Sequence, residues 1–390
     1  VDQPKNLHVG LALLAMALGG FAIGTGEFVI MGLLPDVAHG LGRSVTSAGN
    51  AITSYALGVV VGAPLIAVTG ARLARKHLLL GLMTLFTVGN LASAFAPGYY
   101  SFILMRFISG LPHGAYFGVA SLVAASMVPQ QQRGKAIGRM MTGLTIATLL
   151  GVPLASWIGH HLSWHYAFLM VGVCALVCVL MMLRYVPYQA GDPSAHPLQE
   201  LGALKAPVVL MTLLTGSAGF CGMFALFSYI TPTLAHEAGM PEWAIPWVMA
   251  AFGLGMVVGM MLGGRLSDWS VRKAISVALV WNLVVMVLFP LMAMHVISGM
   301  IVTFMIGTTA LLIPSLQIRL MDVAGKAQTL AAAMNHSALN IANALGAFLG
   351  GVVINAGMGW TSTAWVGGAL GILGLVVYQC SLRLKSSSLS

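Results

Sequence analysis

Two formally charged side chains lie where lipid would surround them: Glu27, in the first long apolar stretch, and Arg106, in the fourth. A charge at a membrane centre costs about 2.5–3.5 kcal/mol on insertion scales, so such groups face an interior cavity and carry ions or protons. Glu27 lies seven residues before a boundary near Leu34, and Arg106 seven after one near Tyr99. At about 1.5 Å per residue, both are expected about 10 Å below the outer surface. A carboxylate and a guanidinium at matched depth on separate helices can form a bidentate ion pair if their faces meet. Burial favours the neutral acid and a nearby cation favours the carboxylate. Moving Arg106 away would therefore make Glu27 take up a proton, and one buried acid matches one proton per cycle. A static bridge between helices is the alternative, but a buried ion pair is seldom a net stabiliser. The coupling role is the expectation.

Other polar groups fit the same cavity. His113 stands seven residues after Arg106, hence on nearly the same helical face, and follows Pro112. It could bind substrate, share the proton, or be a hydrogen-bonded interior histidine. His336, Asn340 and Asn343 form a polar stripe at i, i+4 and i+7 on an apolar helix. Such a stripe serves either substrate or neighbouring helices. Tyr55, Phe117, Phe224, Phe227 and Trp281 could contact a modest organic solute, or simply pack. The expected substrate-binding set is Tyr55, His113, Phe117, Thr145, Phe224, His336, Asn340 and Asn343. The apolar stretches carry neither a Cys/His/acid cluster suited to a metal nor a Ser-His-acid constellation, and the chain has no GxxxxGK[ST] loop. An enzyme or an ATP-driven pump is not expected, and no cofactor beyond a proton gradient is implied. Cys174, Cys178, Cys221 and Cys380 have no metal-type spacing and are expected to pack.

The elements that must position these groups follow from composition. The chain has 390 residues, 58% hydrophobic and 7% charged, against about 25% charged in soluble domains. Runs long enough to cross a hydrocarbon core of about 30 Å are expected at 9–34, 46–69, 78–96, 100–126, 136–158, 165–183, 208–232, 245–264, 274–293, 298–316, 328–354 and 361–382. The fold class is an all-α membrane protein with twelve transmembrane helices. The first run is longer than a signal-peptide core and lacks a small-residue cleavage site, so it is expected to be retained.

The formal charge of +9 is topological. With both termini cytoplasmic, sixteen of eighteen Lys and Arg fall on cytoplasmic segments: Lys5, Arg72, Arg75, Lys76, Arg133, Lys135, Arg139, Arg184, Lys205, Arg265, Arg272, Lys273, Arg319, Lys326, Arg383 and Lys385. Arg43 lies outside and Arg106 in the membrane. This positive-inside bias removes any need for a nucleic-acid partner.

The chain also repeats itself. Residues 58–65 read GVVVGAPL and 255–262 read GMVVGMML, at an offset of 197; 144–151 (LTIATLLG) match 339–346 (LNIANALG) at 195. His336, Asn340 and Asn343 thereby correspond to Met141, Thr145 and Thr148. Six spans per copy return the chain in the same orientation, which gives two parallel six-helix repeats: an amino-terminal bundle at 1–183, a cytoplasmic linker at 184–206 carrying Pro187, Pro193 and Pro197, and a carboxy-terminal bundle at 207–390. No acid in the second copy matches Glu27, whose offset lands near Phe224. Glycines every four residues, Gly58 and Gly62, then Gly255, Gly259 and Gly263, let backbones approach in static packing, and in a rocking transporter the same faces would also slide, the two readings not excluding each other.

On these residues the chain resembles the major facilitator superfamily, within it the twelve-span drug:proton antiporters that include sugar-efflux and chloramphenicol-export permeases. Gly264, Leu266, Asp268, Arg272 and Lys273 match the family's GxLxDxxGRK loop. The first-half copy keeps Arg72, Arg75 and Lys76 but has Ala71 and Ala74 in place of the aspartate and glycine. Arg133-Gly134 resembles the loop after the fourth span. Gly143, Gly151, Pro153 and Gly159 resemble the fifth-span antiporter motif, with Val152 inserted. Arg106, Gly110 and Gly114 fit the fourth-span RxxxG pattern, Glu27 takes the place of the first-span acid, and residues 25–35, TGEFVIMGLLP, look like the sugar-efflux branch.

The resemblance implies that Arg72, Arg75, Lys76, Asp268, Arg272, Lys273, Gly143, Gly151 and Pro153 act in gating. It also implies that Asp268 latches against the start of the fifth span near Ala136, where a helix amino terminus favours a carboxylate. The function expected is proton-coupled export of a small organic solute, a sugar or drug-like molecule, across a bacterial inner membrane by alternating access. An inward symporter or facilitator, or a non-transporting sensor, are the alternatives. Expected partners are solute, protons and bilayer, and a monomer suffices.

Overall fold

The computed structural model describes residues 3–70, 72–129, 132–190, 206–323 and 328–383. Ala71, Pro193, Pro197, Lys205, Lys326, Lys385 and most of the predicted linker lie outside the described residues, as do the side chains of Lys5 and Lys135. Among the described residues the chain is helical throughout, with no strand.

Eleven segments among the described residues are long and apolar enough to cross a membrane, and one of them is 51 residues long. Its helix, Ile245–Met292, would measure about 70 Å if straight, more than twice a hydrocarbon core. Ser270 interrupts it with extended backbone (φ −166°, ψ 112°), so the segment is two spans and the total is twelve. The first is Gln3–Gly32, the second Val45–Gly70, the third Arg75–Ala94 and the sixth Trp164–Tyr185. The eleventh is Gln328–Asn355 and the twelfth Thr363–Arg383.

Four spans are broken in ways the apolar runs do not reveal. The fourth joins Tyr99–Gly110 to His113–Ser126 through Leu111 and Pro112. The seventh runs Pro207–Gly219, Cys221–Ser228 and Ile230–Glu237, and the tenth Val296–Thr308, Thr309–Leu311 and Leu312–Val323. The fifth runs from Arg133 to His161 with a π turn at Ala147–Gly151. Pro153 has no N–H to offer the preceding turn. The Val152 N–H bonds five residues back to the Ala147 carbonyl, which absorbs the mismatch as a local bulge.

The repeated glycines seat each half on itself. A methyl group on Gly58 would meet the Phe107 carbonyl, and one on Gly110 the Tyr55 carbonyl; in the second half Gly255 meets Phe304 and Gly307 meets Phe252. These faces pack second span on fourth and eighth on tenth. In this structure the glycines seat helices within each half, the static packing that is one of the two readings of their spacing. Gly143 lies on the Ala17 carbonyl and Gly151 on Thr25 and Phe21, fixing the fifth span to the first. The two halves meet instead through the second and eleventh spans and through the fifth and eighth. Gly253 of the eighth lies directly on the Thr148 carbonyl in the π turn.

Candidate functional site

Between the halves lies a cavity of about 520 Å³. At mid-depth its wall is Glu27, Phe28, His113, Thr148 and Phe224; towards the end where the first span begins and the twelfth finishes it is Ala125, Ile137, Met321 and Asn335. At that end Met321 is 36% exposed, against 2% at His113 and 6% at Glu27. The cavity is thus reached from the end carrying the Arg- and Lys-rich loops.

The opposite end is sealed across the halves. Phe227 and Phe252 stack at 3.4 Å between centroids, with Phe28 of the first span 5.9–6.1 Å from each. Thr46 Oγ1 donates to Asn355 Oδ1 at 2.6 Å, and Thr231 Oγ1 to the Met31 carbonyl at 2.9 Å. Phe227, which the sequence allows as either a solute contact or a packing residue, is part of this seal. Trp281 is also away from the cavity, its indole N–H donating to Thr308 Oγ1 at 2.8 Å.

Glu27 and Arg106 both sit in the core, but no ion pair joins them at 4 Å or less. The guanidinium is fully buried. It lies 4.4 Å over the Tyr55 ring and 5.3 Å over Phe168, and none of its nitrogens has a hydrogen-bond partner among the described residues. Matched depth did not bring the two faces together: Arg106 turns towards the second and sixth spans, where aromatic faces partly replace water around the cation. Glu27 instead accepts a hydrogen bond from Asn343 Nδ2 of the opposite half, at 3.4 Å. The two side chains therefore take separate partners, Glu27 in the opposite half and Arg106 within its own.

Tyr55 links this cation to the cavity. It does not line the cavity itself, but its hydroxyl is 3.0 Å from His113 Nδ1. His113 packs against Phe117 and, across the halves, His336, with centroids 5.5 and 6.1 Å apart; Phe117 and His336 are stacked with planes 9° apart. His113, Phe117, Thr145, Phe224, His336 and Asn340 line the cavity, whereas Asn343 lies beside Glu27 behind the wall. The sequence reading missed the thioethers: Met141, Met223, Met256, Met260 and Met321 all face the space, with Gln317 and Asn335, which bond each other at 2.7 Å. Their signal, methionines recurring on spans that also carry polar groups, is indistinct in a chain with 25 methionines.

A family model described as the Major Facilitator Superfamily matches residues 16–269 and 229–388. The chain belongs to the major facilitator superfamily. It is 37% identical over 378 residues to the inner membrane transport protein YdhP of Escherichia coli K12, covering 97% of each chain. It is 31% identical over 375 residues to the chloramphenicol resistance protein of Streptomyces lividans, covering 94% of this chain and 95% of that one. The crystal structure of a bacterial homolog to the human lysosomal transporter Spinster, inward-facing and unoccupied, superposes with a TM-score of 0.73 at 15% identity, over 96% of this chain and 97% of that one. The protein is a multi-pass membrane transporter of this superfamily.

The two superfamily loops are fastened differently. In the first, Lys76 Nζ donates to the Leu183 carbonyl at 2.9 Å and the Arg75 N–H to the Gln189 carbonyl at 3.1 Å. Arg72 is exposed. This places a cation at the carboxyl end of the sixth span, the end where positive charge is favoured, and ties the loop to its own half. In the second, the Lys273 ammonium sits 4.4 Å over Trp269, and Tyr378 of the twelfth span donates to the Arg272 carbonyl at 3.1 Å. Asp268 is exposed and has no ion pair among the described residues. The expected latch on the fifth span near Ala136 is therefore not engaged, because at this end the cavity holds the halves apart.

Proposed function

We propose that this transporter exports a small organic solute across a bacterial inner membrane in exchange for protons, with Glu27 carrying the proton. The observation behind this reading is Glu27, the one buried acid among the described residues, at the inner end of the cavity and in contact with both halves. In alternating access the two bundles rock about the second–eleventh and fifth–eighth contacts. Glu27 would load a proton from the outer side and release it into the cavity while solute moves the other way. Arg106, held under Tyr55 and Phe168, does not cap the acid, so both protonation states stay within reach. No second acid is needed for a one-proton cycle. The Arg- and Lys-rich loops would face the cytoplasm, with both termini on that side, and a single chain with its internal duplication would suffice.

The wall favours the drug-like end of the expected solute range. Phe28, Phe117, Phe224 and the five methionines offer a mainly apolar surface, with His113, His336, Asn340, Thr145 and Gln317 as scattered polar points. A free sugar would leave most of its hydroxyls unpaired there, so a partly apolar amide of chloramphenicol type fits better.

Everted membrane vesicles energised acid-inside test the reading. Chloramphenicol should accumulate in the lumen and its addition should alkalinise the lumen; an inward symporter would show the opposite coupling. Glu27→Gln should fold normally and lose gradient-driven flux by at least about tenfold, since removing one transition-specific charge interaction of about 1.4 kcal/mol has that effect. Undiminished coupling in Glu27→Gln rejects the site.

A further inference from the structure

The side chain that touches Glu27 belongs to the other half, and its chemistry is of a particular kind. Asn343 Nδ2 donates to Glu27 Oε1 at 3.4 Å, while Asn343 Oδ1 is buried without a hydrogen-bond partner. A carboxamide carries two N–H donors and a carbonyl acceptor, interchangeable by a half-turn of its terminal torsion. It can therefore donate to a carboxylate and, turned over, accept from the O–H of a carboxylic acid. Arginine can do only the first and an apolar residue neither. Asn343 is 1% exposed and stands behind the cavity wall, so solute is not its evident partner.

We infer that Asn343 is a positioning residue for the proton-carrying acid, holding Glu27 across the two halves in both its protonated and deprotonated forms. This rests on the reading of Glu27 as the proton carrier and adds the partner on the opposite bundle. When Glu27 takes a proton from a hydronium ion on the outer side, one O–H bond forms at the carboxylate and one breaks in the hydronium, which leaves as water. The amide turns over, and its free Oδ1 receives that O–H. The contact between first and eleventh spans then survives protonation, and the buried acid is never left unpaired as the bundles begin to move. The other groups that act on Glu27 are Arg106 of the fourth span and Tyr55 of the second. His113 and His336 share its cavity wall, and the fifth, seventh and eighth spans present Thr148, Phe224 and Met256, none of which titrates.

The test is infrared difference spectroscopy on the purified full-length chain in lipid nanodiscs across a pH titration, with no solute. The carboxylic C=O band that disappears in Glu27→Gln reports residue 27. In Asn343→Leu the carboxylate loses its donor, so the band should appear at about a tenfold lower proton concentration, and at higher wavenumber because the acid O–H has lost its acceptor. In Asn343→Asp, which keeps the shape, two carboxyls share a proton and the displacement should be larger. This second variant decides the matter if the first does not yield a monodisperse, helical protein. A residue-27 band unchanged in position and pH dependence in these variants overturns the inference and leaves the proton role of Glu27 standing. Absence of any titrating band that Glu27→Gln removes overturns both.

Discussion

At the scale of single residues, the arrangement around Arg106 sets a charge under aromatic faces and not against an acid. Desolvated cation–π contacts are worth up to about 2 kcal/mol, and here Tyr55 makes one while its hydroxyl, 3.0 Å from His113, anchors the ring. Tyr55→Phe should keep the ring under the guanidinium and lose only that hydrogen bond, lowering stability by about 0.5–1.5 kcal/mol. Tyr55→Leu loses both contacts and should cost about 2–4 kcal/mol; thermal melts of the purified variants measure the difference, and equal losses would show that the ring face does nothing. The presence of both ions was legible in the sequence, because a charge in an apolar run has no inconspicuous explanation. Their mutual disposition was not. Sequence gives depth along a helix, but which way a helix is turned depends on packing partners far away in the chain, such as Phe168 beneath Arg106. The same limit separated Phe117 and Phe224, which line the cavity, from Phe227 and Trp281, which do not.

At the scale of elements, the fifth and eighth spans cross where a bulge meets a glycine. The π turn carries the Thr148 carbonyl to the α-carbon of Gly253, with no room for a side chain between them. Gly253→Val should wedge the halves apart at this contact and reduce flux at least about fivefold, as overpacking of about 1–3 kcal/mol implies. Gly138→Ala, on the same fifth span but with open space at its Cβ position, should leave flux unchanged and so controls for helix propensity. Vesicle transport compares the two, and comparable flux in both would remove the crossing from the mechanism. The glycines and Pro153 were visible in the sequence as a motif. The bulge was not, because an inserted valine alters hydrogen-bond register without altering hydropathy. For the same reason the reversal at Ser270 was legible only as a gap between apolar runs, whereas the backbone is helical almost to that residue on either side.

At the scale of the whole molecule, the structure is a transporter open at the end bearing its basic loops and closed at the other. Thr46 and Asn355 touch across the closed end, so Thr46→Cys/Asn355→Cys should crosslink on mild oxidation, and the linked protein should lose transport and regain it on reduction. Efflux assays before and after oxidation, with the unsubstituted chain as control for Cys174, Cys178, Cys221 and Cys380, measure this. Full transport by the crosslinked protein would mean the closed end need not open. Twelve spans and their duplication were readable from apolar runs and an offset of 197, since repeats are a property of sequence. The state of opening was not, because the same contacts between bundles must be compatible with two arrangements.

The methionines on the cavity wall have a consequence for selectivity. An unbranched thioether with three soft torsions has no fixed outline and moulds itself to whatever it surrounds. On the proposed export reading, discrimination between cargoes would rest less on the contour of this chamber than on its polar points, the Gln317–Asn335 amide pair and the imidazoles of His113 and His336, with preference a matter of where one or two heteroatoms fall.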